Sequence, residues 1–179
     1  MPATFGSVRL FARCSLLFLI AIAVLAGCSG NEPLVRCPSI RVPVDTGTMT
    51  RFVDGSDGDI TDVIMETRFT AARGVCSVDD DLVEVEAILE IGVREGPAST
   101  SSVGSLSIFV AVADKDRTIL QRRSLPVAVD FSGNRSTVLH RERLVIEIPK
   151  TEEQRGDSFV IFTGFELSKD ELRFNRATQ

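Results

Sequence analysis

The sequence has no tryptophan, no tyrosine and a single histidine. With phenylalanine as its sole aromatic residue, it has few platforms on which sugars or bases could stack. One histidine is a thin supply for hydrolytic chemistry, which needs a nucleophile beside a base, usually an imidazole. That residue, His140, falls at an apolar-facing position between Val138 and Leu144, with Arg141 and Glu142 beside it. It is expected to be a structural or surface histidine. No Gly-x-Ser-x-Gly elbow occurs, and Gly104-Ser105-Leu106-Ser107 reads as the start of a strand. Internal repeats are absent. So is an apolar run of about 20 residues, the length that a membrane-crossing helix requires.

Acidic residues are missing from positions 1–27. That stretch carries Arg9 and Arg13, then an apolar run from Leu16 to Leu25, then small Ala26 and Gly27. Positive, apolar, small is the order of a secretory signal. The four residues Leu25-Ala26-Gly27-Cys28 resemble the lipobox of bacterial lipoproteins. The resemblance implies cleavage before Cys28, a diacylglycerol on its sulfur and a third acyl chain on the new amino terminus. One acyl chain holds a membrane only marginally, whereas several make attachment stable. Ser29 stands where an inner-membrane lipoprotein often has Asp, so the resemblance implies the periplasmic face of the outer membrane. The expected organisation is a signal peptide at 1–27, drawn as a helix, a lipidated tether at 28–36 and one domain at 37–179. Extended, the eight residues after Cys28 span at most about 28 Å, which keeps the domain near the membrane.

Loss of residues 1–27 takes two of 20 basic residues and none of 25 acids, so 18 against 25 leaves a net charge of −7. An acidic domain is a poor partner for nucleic acid and for anionic headgroups. Membrane association is therefore expected from the lipid.

What the mature chain has in quantity is period-two alternation. Val83, Val85, Ala87, Leu89, Ile91 and Val93 share one face, with Glu84, Glu86, Glu90 and Arg94 on the other. Helical spacing does not produce that pattern. Shorter alternations start at Ile40 (with Val42 and Val44), Val63 (with Met65, Thr67, Phe69 and Ala71) and Leu106 (with Ile108, Val110 and Val112). Further ones run through Leu125, Val127, Val129 and Phe131, through Val138, Leu144, Ile146 and Ile148, and through Phe159, Ile161, Phe165 and Leu167. Turn-forming stretches separate them at 54–59, 79–81, 95–102, 114–117, 133–134 and 149–157. Ser168 with Glu171 three residues on is a capping box. It predicts a short terminal helix over 169–175, with Leu172 and Phe174 packing down. About seven strands with no helix between them predict an all-β fold, an antiparallel immunoglobulin-like β-sandwich. A small closed barrel is the alternative.

Candidate chemistry is sparse. Zinc needs three or four Cys, His or carboxylate ligands, and one His with two exported cysteines is a poor set. Asp57, Asp59 and Asp62 around Gly58 offer hard oxygens to calcium, but the loop lacks the third acid and the glycine of an EF-hand. A plain polar loop is the expected reading, and no metal or cofactor site is legible. The turn at 79–81 reads as solvated, and the loop at 96–98 as a connection or a recognition loop. In broad character the mature chain resembles small envelope lipoproteins of two-membrane bacteria: Cys37-Pro38 at the start, a second cysteine about 40 residues on, and Gly164-Phe165-Glu166-Leu167 before the terminal helix. That resemblance implies no particular activity.

Cys14 leaves with the signal and Cys28 takes lipid, so Cys37 and Cys76 are each other's remaining partners in an oxidising compartment. A disulfide is expected, with antiparallel pairing of the first two strands bringing the residues together. The functional expectation is a non-catalytic, lipid-anchored module that contacts another envelope protein. An envelope enzyme or ligand-binding lipoprotein is the alternative. A concave pocket of convergent polar groups favours the second reading, an unpaired strand edge or apolar patch the first.

Overall fold

The computed structural model describes residues 35–132 and 136–178. The expected signal peptide at 1–27, Cys28, most of the expected tether and the expected Gly133-Asn134 turn lie outside the described residues. Among the described residues, no helix is long and apolar enough to cross a membrane.

The strict alternation at 83–93 forms a strand whose six apolar side chains are each at most 1% exposed. It is one of eight strands among the described residues that build two sheets: β1 (Ser39–Arg41), β2 (Thr48–Phe52), β3 (Val63–Val78), β4 (Leu82–Glu95), β5 (Val103–Ala113), β6 (Ile119–Asp130), β7 (Thr137–Pro149) and β8 (Val160–Phe165). One sheet has the order β1-β8-β5-β6 and the other β2-β3-β4-β7. Their inward faces meet in one core. Val85, Leu89, Ile91 and Ile146 come from one sheet, and Ile108, Val110, Val129, Ile161 and Phe165 from the other. This is the expected immunoglobulin-like sandwich, and the two sheets do not merge into a barrel.

Several details differ from the sequence expectation. The strand count is eight, because β2 was not legible. Met49 is its one fully buried side chain, and the next inward position is Arg51, so no apolar alternation marks it. The first strand stops at Arg41, and Val44 belongs to a 3-10 turn (Val44–Thr46) that carries the chain from one sheet to the other. β1 pairs with β8 in parallel, the exception to an otherwise antiparallel arrangement.

β3 runs seven residues beyond Ala71. A register shift between Phe69 and Ala71 exchanges its faces. Before the shift, Met65, Thr67 and Phe69 point inward. After it, Ala72, Gly74, Cys76 and Val78 do, and Ala71 lies opposite Glu90 on the outer face. Gly74 is needed there, because a Cβ would come within 3.0 Å of the Ile40 side chain and closer still to a backbone carbonyl.

The terminal helix, α1 (Lys169–Ala177), begins on the expected capping box. Ser168 N–H donates to Glu171 Oε2 at 2.7 Å, and Glu171 N–H donates to Ser168 Oγ at 3.1 Å. Phe174 packs edge-on against Phe52 with ring centroids 5.0 Å apart.

Candidate functional site

A sandwich of two open sheets has four edges, and each presents unpaired backbone groups. Here the two lateral sides of the molecule treat that problem differently. On the side of β1 and β2, the edges are short and covered. Asn175, only 3% exposed, donates from Nδ2 to the carbonyls of Thr48 at 2.7 Å and Asp45 at 2.9 Å. It thereby supplies β2 with a partner that no strand provides. Arg51 crosses between the sheets, donating to the Ser105 carbonyl at 2.7 Å and to Glu171 at 3.0 Å. Arg176 reaches Asp45 at 2.8 Å.

The opposite side is formed by β6 and β7, the longest edges of their sheets. Residues 119–124 of β6 are all exposed, and Ile119 and Leu120 are each 52% exposed. Leu139 and Val145 project from β7 with similar exposure. Between the strands lies a groove of about 400 Å³, lined by Val110, Val112, Val145 and Ile146 and by Gln121, Arg122, Arg123 and Glu147.

Gln121 and Arg123 occupy inward positions, opposite Val112 and Val110. They span the gap by donating to the Glu147 carbonyl at 2.9 Å and the Val145 carbonyl at 2.8 Å. Two side-chain bonds stand where a strand would make a ladder. On the outer face, Arg122 lies over the Phe109 ring, 5.0 Å from its centroid, and donates to both oxygens of Glu166.

Larger crevices, of about 510 and 710 Å³, flank α1. Both are walled by a helix that caps and ion pairs fix in place, and neither leaves a long edge unpaired. The β6–β7 side is therefore the candidate site.

The structure distributes the sequence-predicted residues as follows. Cys28 lies outside the described residues. Cys37 and Cys76 form the expected disulfide, with alpha carbons 5.6 Å apart. The expected route to it was wrong. β1 and β3 belong to different sheets, so the bond joins the two layers rather than two neighbouring strands. Cys76 faces Cys37 because the shift near Thr70 turned it inward.

His140 sits on β7 opposite Ile91, half-buried, with Nε2 3.1 Å from Glu142 Oε2. Asp59 caps a 3-10 turn (Ile60–Asp62) by accepting from Thr61, which holds its carboxyl below the ordinary range. Asp62 accepts from Ser56 Oγ at 2.9 Å. Among the described residues, no three His, Cys, Asp or Glu side chains converge as metal ligands would.

The turn at 79–81 is tied to Lys150, whose Nζ donates to the Asp80 carbonyl. The loop at 96–98 folds back on β3. Gly96 N–H donates to the Ile64 carbonyl at 2.8 Å, and a Cβ on Gly96 would strike the Val63 carbonyl. That loop is a packed connection.

The outer face of β4 carries a charge ladder that alternation alone did not reveal. Glu90 accepts from both Arg141 and Arg73, chiefly the Arg141 hydrogen bond holding its carboxyl below the ordinary value of 4.5. Glu86 accepts from Arg143 and Glu66 from Arg94. Arg51, Asn175, Gln121 and Arg123 were missed as well. Each does its work against a backbone or carboxylate far away in sequence, and no local pattern announces that.

No family model matches the sequence, and no curated protein matches it. Among solved structures, a glycosyl hydrolase family 2 member from Bacteroides cellulosilyticus is similar over 55% of this chain and 17% of its own, at 13% identity and a TM-score of 0.31. The variable domain of the Streptococcus agalactiae AgI/II polypeptide BspA is similar over 80% of this chain and 85% of its own, at 12% identity and a TM-score of 0.21. At such TM-scores, neither likeness bears on the fold or the activity of this protein.

Proposed function

We propose that the protein is a lipid-anchored envelope module that works by contact rather than catalysis. In this reading the signal at 1–27 directs export and Cys28 receives the lipid. The tether at 28–36 then holds the sandwich of residues 37–179 at the periplasmic face of the outer membrane. The observation that supports it best is the open β6–β7 side, where two long strand edges and a groove of mixed apolar and charged lining lie opposite the edge at which the chain enters through Cys37 and β1. A module reeled in at one side and unpaired at the other is suited to receive a second protein.

Two measurements test it. Cys28→Ala should abolish uptake of labelled palmitate and leave an unprocessed precursor. A photo-crosslinker at Leu120 should capture a discrete envelope protein in intact cells, whereas one at Val75, on the outer face of β3, should not. Equal capture from both positions, or labelling of the Cys28→Ala chain, overturns the reading.

A further inference from the structure

The β6 edge differs in charge from the protein that carries it. The turn before β6 and the exposed start of the strand, residues 114–124, hold Lys115, Arg117, Arg122 and Arg123 against Asp114 and Asp116, a local excess of two positive charges in a chain whose net charge is −5. Neither Lys115 nor Arg117 has a carboxylate partner among the described residues. Arg123 is spent on a β7 carbonyl, and Arg122 is bound to Glu166 but keeps half its side chain exposed.

A second copy of this chain is a poor occupant, since pairing β6 with β6 would stack two basic edges against each other. Positive charge on an edge also deters promiscuous strand pairing. Deterrence by charge is selective, however. It repels neutral and basic strands and favours an acidic one.

We infer that β6 accepts an extended acidic segment of a partner protein by strand addition, as a new edge of its sheet. This deepens the contact-module reading and rests on it. The guest's backbone would pair with the β6 groups that face away from β5. Alternate side chains would fall to opposite faces. Those directed inward would enter the groove beside Val145, Ile146 and the aliphatic stem of Arg123, so they are apolar. Those directed outward would pass Arg122, and the guest's end would meet Lys115 and Arg117, so they are acidic. The occupant is thus a strand of alternating apolar and acidic residues.

Hydrogen exchange on the full chain in neutral detergent tests this, with a blocked synthetic peptide of alternating Val and Glu, about eight residues long, as the probe. The peptide should slow exchange about tenfold at alternate amides of residues 119–125 and leave β2 unchanged. A peptide of alternating Val and Lys should not. In the double variant Lys115→Glu, Arg117→Glu, whose sites make no ion pair, affinity for the Val–Glu peptide should fall about tenfold and the preference should move toward Val–Lys. The inference is overturned if both peptides slow exchange equally, if protection appears on β7 or β2 instead, or if a normally folded chain shows none at millimolar peptide. Any of these results would leave the crosslinking test untouched, so failure here is separable from failure of the contact-module reading.

Discussion

The two lateral sides of this sandwich answer the same physical demand in opposite ways. On the β1–β2 side, a disulfide, a helix, an inter-sheet arginine and a buried asparagine satisfy or cover the edges. On the β6–β7 side, two strands of 12 and 13 residues are bridged through Gln121 and Arg123. The core beneath is equally buried on both sides: Met49 is 0% exposed near one and Val112 1% near the other. The contrast therefore lies in how the backbone is treated, and not in how well the sandwich is filled. Free edges are a liability that proteins ordinarily suppress, so a side left open while its opposite is sealed marks where contact with another chain costs least.

The contrast breaks most visibly at the disulfide. Replacing Cys37 and Cys76 together by Ala should destabilise the domain by about 4 kcal/mol, the chain-entropy estimate for a loop of this size. Thermal unfolding with and without reductant measures it. An unchanged melting temperature would mean that the sealed side does not depend on the bond.

Asn175→Ala comes next. It removes the buried side chain that serves the part-buried Thr48 and Asp45 carbonyls, and should cost about 1–3 kcal/mol in denaturant unfolding. On the open side, the matching change should be nearly silent. Gln121→Ala should alter stability by no more than about 0.5 kcal/mol, because its carbonyl partner can turn to water. Similar costs for Asn175→Ala and Gln121→Ala would erase the distinction between the two sides.

The smallest effect is expected on the outer face of β4. Glu90 has a lowered folded-state pKa, so its stabilising contribution is complete above the ordinary 4.5 and is lost as the pH falls through the lower folded value. The stability gap between the parent chain and Glu90→Gln should therefore be present at neutral pH and close in stronger acid. A gap that widened on acidification would contradict the Arg141 and Arg73 pairing.

The reading of residues 83–93 came through intact because alternation is a local property. Six apolar residues at period two bury one face wherever that strand is placed. The capping box at Ser168 is local in the same sense. β2 escaped because its inward residues are Met49 and Arg51, and an inward arginine makes sense only once Glu171 and the Ser105 carbonyl are in place. Ala71 was put on the wrong face because a one-residue bulge leaves no mark in a run of small and polar residues such as Thr70-Ala71-Ala72.

By itself the sequence determined all the strand-forming segments but β2, the faces they bury except beyond the bulge near Thr70, the helix start and the pairing of Cys37 with Cys76, all of which follow from short-range spacing or from counting. Tertiary structure decided which strands neighbour one another, that the disulfide joins two sheets, and which edges are covered. Those outcomes depend on contacts between residues more than a hundred positions apart, such as Asn175 with Thr48 and Arg51 with Glu171. Only the folded chain brings such groups within hydrogen-bonding distance.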